Sequence, residues 1–327
     1  MTIFVTGANG FLGSNIVRAL LEKNYKVKTF ILPNDSTKTL DGLDIEISRG
    51  NILDAESIER EMADCDAVVH AAALTDVWPS RSEIVCKVNI EGTHNMMNAA
   101  LKLGVKRFVY IGSGSSFAHG TPENPGHEDS GFSGNQFGMD YIDSKYQAQL
   151  DVLDAVKNKN LPAVIIAPTF MMGPYDSKPN AGKMIIAVNQ GKLPFYTAGG
   201  RNFVHVKDVA MAAANAVKLG RVGECYLAGN ANLTFKEIFQ IIGNVTGKKP
   251  PKMKLPTPVF KLVGRAGSLF GAITKKPPLI TLPMAKVGSL RQCYKIEKAV
   301  KELDMPQTPV EDAVQEAYDW LNENGYL

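Results

Sequence analysis

The stretch that decides the fold is Thr2-Ile3-Phe4-Val5-Thr6-Gly7-Ala8-Asn9-Gly10-Phe11-Leu12-Gly13. An apolar strand runs into a glycine turn, and apolar residues at helical spacing follow the turn. Gly7 lets the chain turn sharply, Gly10 leaves room for an anion beside the backbone, and Gly13 lets the helix lie close to the sheet. The helix therefore points its free N–H groups at an anion. The stretch predicts a site for a dinucleotide pyrophosphate, bound by Gly7, Asn9, Gly10, Phe11 and Leu12.

Length, composition and charge limit the classes of protein to which this chain can belong. The chain has 327 residues, 45% of them hydrophobic, and a net charge of +3. Such a chain buries a large core, which excludes disorder as the main state. The basic cluster between Lys248 and Lys254 alternates with prolines and lacks aromatic neighbours for base stacking. It indicates a solvated loop, and we expect no nucleic-acid partner.

Cysteine spacing and hydropathy bear on location. Cys65, Cys86, Cys225 and Cys293 are far apart and indicate neither a zinc site nor a disulfide framework. With no leader and no apolar run of the roughly 20 residues that a span requires, we expect a cytoplasmic protein without a membrane span. Val259–Ile273 is apolar on most sides yet carries two basic residues. This segment fits a packed cap helix best, and a helix lying on a membrane surface is the alternative.

Strands alternate with helices in the first half of the chain. The helical patterns include Ser80–Leu103 and Tyr141–Lys157, and the β-rich runs are Val27–Leu32, Ile45–Ser48, Ala67–His70, Arg107–Gly112 and Ala163–Ala167. This alternation predicts an α/β fold, a doubly wound parallel (Rossmann) sheet.

After Pro168 the chain becomes richer in glycine and proline, which predicts a smaller, interleaved C-terminal substrate-binding lobe. Asn202–Val206 and Glu224–Leu227 resemble strands that return to the main sheet. We expect a dinucleotide-binding domain over residues 1–168 with returning segments at about 201–229. The substrate lobe would then comprise 169–200 and 230–327.

A tyrosine and a lysine four residues apart, Tyr141 and Lys145, begin a predicted helix on one face. A lysine ammonium lowers the pKa of a nearby phenol, which makes the phenol a better proton donor. Tyr294 and Lys298 have the same spacing, and we interpret that pair as a helix-surface feature. Tyr141 is favoured because Ser113 follows a strand, where a doubly wound sheet presents residues to its ligand crevice.

Several motifs in order resemble the extended short-chain dehydrogenase/reductases, nearest the dihydroflavonol reductase and 3β-hydroxysteroid dehydrogenase-like branch. Besides the glycine motif and the serine strand, the motifs are Gly50-Asn51-Ile52-Leu53-Asp54, His70-Ala71-Ala72-Ala73, Val88-Asn89-Ile90-Glu91-Gly92-Thr93, Tyr141-Ile142-Asp143-Ser144-Lys145 and Pro168. The resemblance covers nearly the whole chain.

The resemblance implies roles for these residues. Ser113, Tyr141 and Lys145 would be catalytic, with Lys145 also bonding the nicotinamide ribose. The remaining coenzyme contacts would be Asn51 and Ile52 at the adenine, Ala71, Ala72 and Ala73 beneath the pyrophosphate and ribose, Asn89 behind the site, and Pro168.

The end of the second strand departs from that pattern. Members commonly place there an acid for the ribose hydroxyls or an arginine for a 2′-phosphate, whereas this chain has Ile31-Leu32-Pro33-Asn34 and only then Asp35. Lys38, with Ser36 and Thr37, lies near enough in sequence to bind a 2′-phosphate. The sequence favours NADP, with NAD as the alternative and Lys38 then a solvated loop lysine.

The remaining residues bear on the reaction. A dehydratase of this family would carry an Asp-Glu pair directly after its serine or threonine. Gly114 and Ser115 occupy those positions here, which argues against elimination chemistry. Ser115 is the alternative to Ser113 as the catalytic serine. Arg201 resembles the arginine of nucleotide-sugar epimerases, and a single arginine is not a diphosphate clamp.

Large apolar residues, Trp78, Phe117, Phe170, Met171 and Met172, suit a hydrophobic or aromatic carbonyl substrate, although any of them could be core. We therefore expect an NAD(P)H-dependent ketone or aldehyde reductase. An epimerase and a non-catalytic NAD(P)-sensing protein are the alternatives. The Ser80–Leu103 and Tyr141–Lys157 helices resemble the family's dimer-forming pair, which predicts a homodimer.

Overall fold

A seven-stranded parallel sheet forms the centre of the protein, in the strand order β3-β2-β1-β4-β5-β6-β10. The computed structural model describes all residues, 1–327. The strands are β1 (Thr2–Thr6), β2 (Lys26–Ile31), β3 (Glu46–Arg49), β4 (Ala67–His70), β5 (Arg107–Ile111), β6 (Ala163–Pro168), β7 (Phe170–Met172), β8 (Phe195–Tyr196), β9 (Gly200–His205), β10 (Cys225–Ala228), β11 (Ala231–Thr234) and β12 (Met253–Lys254). The first six strands of the main sheet have the doubly wound order, so the predicted fold class is confirmed.

Helices cover both faces of this sheet and build the smaller lobe. They are α1 (Phe11–Glu22), α2 (Ala55–Met62), α3 (Glu83–Cys86), α4 (Gly92–Leu103), α5 (Asp140–Lys159), α6 (Gly182–Asn189), α7 (Val206–Leu219), α8 (Phe235–Thr246), α9 (Thr257–Thr274), α10 (Leu282–Val287), α11 (Glu297–Glu302) and α12 (Val310–Glu323). A π-helical turn, Lys87–Glu91, joins α3 to α4. The predicted Ser80–Leu103 helix therefore begins at Glu83, and the predicted Tyr141–Lys157 helix is α5.

Alternation along each strand divides the core into two layers. In β1, Ile3 and Val5 pack with α1 and α7, whereas Phe4 packs with α2, α4 and α5 on the other face. A third cluster joins α6, α8 and α12 to β7 and β9. Both faces of every central strand are buried, which explains their nearly continuous apolar sequences.

The predicted return of two strands to the main sheet is half right. β10 pairs in parallel with β6 and extends the sheet as expected. Asn202–Val206 does not return: β9 pairs in parallel with β7 and antiparallel with β11 in a separate three-stranded sheet. The partner β11 is only four residues long, and all four of its residues are half-buried. The division of the chain into two domains stays a prediction.

No helix combines the length and the hydropathy that crossing a bilayer would require. Thr257–Thr274 forms α9, which lies on the outside of the smaller lobe with only Phe260, Gly264 and Gly271 fully buried. All four cysteines are free.

Candidate active site

The turn between β1 and α1 has the geometry that its glycines predict. Gly7 adopts φ +64°, and a Cβ there would lie 2.7 Å from the Ala72 backbone. A Cβ on Gly13 would lie 2.0 Å from the carbonyl oxygen of Gly7. Gly10 caps α1 without a side-chain hydrogen bond, and the first turn holds no acidic residue. The helix N-terminus is thus open to an anion.

The end of β4 lies directly against this turn. The backbone N–H of Ala72 donates to Thr6 Oγ1 over 3.2 Å. Before it, His70 is buried with Nδ1 2.8 Å from Thr6 Oγ1 and Nε2 3.1 Å from Thr93 Oγ1. Burial, reinforced by the charge of Lys145, lowers the pKa of His70 from 6.5 to about 3. This neutral imidazole links β1, β4 and α4, a role that its place in the sequence did not indicate.

Asn89 connects the same edge to α5. Its Oδ1 accepts from the Leu74 N–H over 2.8 Å, and its Nδ2 donates to the Leu74 carbonyl and to Ser144 Oγ, each over 3.0 Å. The buried amide thereby positions the start of α5. Asn51 accepts from the Leu53 N–H over 2.9 Å, and the Ile52 side chain packs against Gly92.

The loop after β2 folds back onto the glycine turn. Asn9 Nδ2 donates to the Asp35 carboxylate and to the Ser36 carbonyl, each over 3.1 Å. Lys38 lies next to Thr39, whose hydroxyl donates to the Asn9 carbonyl over 2.9 Å. Lys38 forms no ion pair. Asp35, late in sequence, is therefore near the turn in space, which weakens the sequence argument that no acid opposes a 2′-phosphate.

Arg49, at the end of β3, was missed from the sequence. Its guanidinium donates to the carbonyl oxygens of Leu32, Pro33 and Asp35 over 2.8 to 3.2 Å. An arginine that ends a strand gives no local signal that it will brace a neighbouring loop.

The predicted catalytic side chains lie beyond β5. Ser113 follows the strand and caps a 3₁₀ turn over Gly114–Ser116, with its Oγ 2.8 Å from Ser115 Oγ. Tyr141 and Lys145 lie one turn apart on α5. Lys145 Nζ donates to the Ile111 carbonyl over 2.6 Å and lies 4.6 Å from the centroid of the Tyr110 ring. Burial lowers the pKa of Lys145 from 10.5 to about 7.

The groups that lower the pKa of the Tyr141 phenol are not the ones that the sequence predicts. Burial raises its pKa, and the effects that oppose this rise are hydrogen bonding with Ser113 and the charge of Arg201. Lys145 does not contribute to this lowering: its ammonium is directed to the Ile111 carbonyl and the Tyr110 ring, and burial lowers its own pKa to about 7. Arg201 supplies the nearby positive charge instead.

Arg201 itself lies in an unusual environment for a guanidinium. Its Nη1 donates to Gln292 Oε1 over 2.9 Å, its Cζ lies 5.2 Å from the Phe170 ring centroid, and no carboxylate pairs with it. Burial lowers its pKa, and Tyr294 and Tyr141 act in the opposite sense. β9, α5 and the segment 292–294 thus meet beside the Tyr141 phenol.

Comparisons with known proteins agree with this geometry. The profile of the NAD-dependent epimerase/dehydratase family matches residues 3–229. The chain belongs to that family. It is 28% identical over 331 residues to a provisionally named dihydroflavonol 4-reductase of Synechocystis, covering 99% of this chain and 95% of that one. It is also 28% identical to sterol demethylase protein B of Methylococcus capsulatus over the full length of both. The crystal structure of gox2253 superposes with a TM-score of 0.89 at 31% identity, covering 100% of this chain and 99% of that one.

The family's coenzyme fits the residues present. Gly7 and Gly13 keep the turn free of side chains that would fill it, and the uncapped α1 N-terminus suits a pyrophosphate. NAD(P) would bind across the carboxyl ends of β1 and β4, where the strand order of the sheet reverses.

The residues predicted to contact the substrate differ in their exposure. Phe170, Met171 and Trp78 are partly exposed, and the indole Nε1 of Trp78 faces Gly271 on α9. Phe117 and Met172 are buried in hydrophobic clusters, which favours the alternative that they are core residues.

The second tyrosine–lysine pair is not a helix-surface pair. Tyr294 lies before α11, is 6% exposed, and donates to the Phe117 carbonyl over 3.4 Å. Lys298 instead pairs with Glu224 over 2.6 Å. The four-residue spacing of Tyr294 and Lys298 does not place them on one helix face, because only Lys298 lies in a helix.

Proposed function

We propose that the protein is an NAD(P)H-dependent reductase that acts on the carbonyl of a small hydrophobic or aromatic ketone or aldehyde. The observation that carries the proposal is the convergence of Ser113, Tyr141 and Lys145 at the carboxyl edge of the sheet, the edge that also carries the glycine turn. Oxidoreductase chemistry is common to the family's reductase and dehydrogenase members.

The bound coenzyme would supply a hydride to the carbonyl carbon. Tyr141 donates its phenolic proton to the carbonyl oxygen as negative charge develops there, and Ser113 donates a hydrogen bond to the same oxygen. Arg201 favours the phenolate that remains and so assists the proton transfer. The product is an alcohol, and Tyr141 regains its proton from solvent.

Lys145 holds α5 against β5 through the Ile111 carbonyl, and we propose that it also bonds the nicotinamide ribose. Because its pKa of about 7 lies near neutrality, it can gain and lose a proton in the working range. The coenzyme form we propose is NADP, with Lys38 as the partner of its 2′-phosphate. The nearness of Asp35 to Asn9 favours NAD as the second candidate.

The apolar surface of Trp78, Phe170 and Met171 supports a hydrophobic substrate. An epimerase is the second candidate function, because Arg201 is half-buried without a carboxylate partner and its charge acts on Tyr141. An intact serine, tyrosine and lysine make a non-catalytic sensing role the weakest alternative.

The test is the loss of nicotinamide absorbance when the protein is mixed with NADPH or NADH and a panel of aromatic and aliphatic carbonyls. We expect consumption, and we expect Tyr141→Phe to abolish it while coenzyme binding measured by calorimetry is kept. Tyr146→Phe is the matched control. Tyr146 lies on the same helix as Tyr141, and its ring stacks on Phe132 with the ring centroids 3.9 Å apart. Unchanged turnover in Tyr141→Phe would refute the assignment. Conversion of a nucleotide sugar to its epimer without net coenzyme change would establish the second candidate.

A further inference from the structure

Helix α9 presents most of its large side chains to solvent, and its inward face consists of Phe260 and small residues. Its inward residues Phe260, Gly264, Gly267 and Gly271 follow helical spacing. A Cβ on Gly264 would lie 2.7 Å from Ala285 Cβ, and one on Gly267 would lie 2.0 Å from the Ile280 carbonyl oxygen. The glycines therefore let α9 lie close against the 280–285 segment, and this packing determines which face of α9 is turned outward.

The outward face is apolar to a degree unusual for a surface helix. Leu262 and Leu269 are 63% exposed, Ile273 is 72% exposed, and Leu279 just beyond the helix is 95% exposed. Eight of the fifteen exposed large apolar residues of the chain lie between Met253 and Leu279. Elsewhere such residues are scattered singly, which is ordinary. A contiguous patch of this kind marks an interaction surface.

The charge of the chain segment that carries this patch is of one sign. Between Glu237 and Glu297 the chain has no Asp or Glu and carries eleven Lys and Arg. None of the eleven forms an ion pair. Lys261, Arg265, Lys275 and Lys276 lie on or directly after α9, and all four are exposed. Because the whole chain carries only +3, the rest of the molecule is net negative. Four of these eleven cations lie on or directly after the helix that carries the apolar surface.

We propose that α9 and its flanking lysines form a docking surface for an anionic lipid bilayer, with the helix lying in the plane of the headgroups. An exposed apolar face rimmed by unpaired cations matches the two components of such a surface, acyl chains beneath negative headgroups. At 18 residues α9 is about 27 Å long, enough to lie along the surface. A second copy fits less well, because apposing two such faces would bring two sets of unpaired cations together.

Docking has a consequence for the catalytic site. The inward face of α9 contacts Trp78 through Gly271. A bound α9 would therefore hold the Trp78 side of the pocket directly beneath the lipid, a consequence that rests on the proposed function. The docking itself needs no substrate or coenzyme, so it can be tested separately.

The experiment is co-sedimentation of the full chain with vesicles of phosphatidylcholine containing phosphatidylglycerol, and with vesicles of phosphatidylcholine alone. We expect binding to the anionic vesicles that weakens as salt is raised. Leu269→Gln/Ile273→Gln should lower the partition coefficient about tenfold or more through lost apolar burial. Lys275→Gln/Lys276→Gln should lower it about thirtyfold, at about 1 kcal/mol per cation.

Matched controls alter the same residue types elsewhere. Leu219→Gln/Val222→Gln removes exposed apolar side chains outside the patch, and Lys157→Gln/Lys159→Gln removes exposed cations from the end of α5. Both should bind like the unaltered protein, and thermal unfolding should show every variant folded. The proposal is overturned by absence of vesicle binding, or by equal losses in patch and control variants. Self-association lost in Leu269→Gln/Ile273→Gln without vesicle binding would identify a second copy as the occupant. Nucleic-acid binding lost in Lys275→Gln/Lys276→Gln without vesicle binding would likewise overturn it.

Discussion

The carboxyl edge of the main sheet and helix α9 depart from the usual distribution of side chains in opposite directions. At the sheet edge, Lys145, His70 and Asn89 are polar or ionisable and at most 4% exposed. On α9, Leu269 and Ile273 are apolar and at least 63% exposed. Polar residues inside and apolar ones outside both cost stability unless something offsets the cost. The comparison teaches that the two regions fit different partners, and we propose a polar coenzyme for the first and a bilayer surface for the second.

The largest effect that would test the sheet edge is on turnover. Ser113→Ala should lower kcat by about a hundred- to a thousandfold, because it removes a donor to the developing oxyanion. Steady-state kinetics measures this once a carbonyl substrate is found. Ser116→Ala is the control, since that hydroxyl is buried without a partner and should be dispensable. Equal losses in both variants would mean that the turn, and not the hydroxyl, matters.

The next largest expected effect is a difference in stability between two substitutions on α9. Phe260 is 4% exposed and Phe270 is 50% exposed on the same helix. Phe260→Ala should lower the free energy of unfolding by about 3 kcal/mol, because it leaves a cavity against α10. Phe270→Ala should change it by less than about 0.5 kcal/mol, as for a surface residue. Denaturant unfolding measures both. A large cost for Phe270→Ala would contradict its outward placement.

A smaller effect tests the buried histidine through pH. His70 takes up a proton near 6.5 when unfolded and only near 3 when folded, so the unfolded state binds more protons between those values. Stability is therefore lost as the pH falls through that window, by about 2 kcal/mol on reaching about pH 5.

Unfolding of His70→Gln across pH should lack this component, whereas His127→Gln, an exposed loop residue, should keep it. An unchanged slope in His70→Gln would show that other groups govern the acid sensitivity.

The smallest expected effect concerns the coenzyme form. Lys38→Ala should raise the Kd for NADPH about tenfold and leave that for NADH unchanged, since it removes one charge-assisted contact with the 2′-phosphate. Calorimetric titration with both coenzymes measures the ratio, with Lys23→Ala as control. If Asp35→Asn weakens NADH binding and Lys38→Ala affects neither coenzyme, the preference is for NAD.

Much of the sheet edge could be predicted because its signals are local. The strands of the main sheet follow from alternation and length, and the glycine turn follows from backbone space. Tyr141 and Lys145 share a helix face at a spacing of four. Such features depend on neighbours in sequence, and the structure agrees with them.

Other features depend on contacts between distant segments. β9 pairs with β7 and β11 because its hydrogen-bonding edges meet those strands in the smaller lobe, a choice that its own sequence does not encode. Arg201, Tyr141 and Tyr294 come from three separate parts of the chain, and only the folded structure brings them close enough to influence one another. Asp35 reaches Asn9 only because the loop after β2 folds back.

By itself the sequence determined the doubly wound sheet, the anion-binding turn and the tyrosine–lysine helix, because each depends on local spacing. Only the tertiary structure decided where Arg201 lies and which face of α9 points outward. A helix that is apolar on most sides has no periodicity that selects its inward face. The selection came from packing, since only the glycine face allows the close approach of the 280–285 segment.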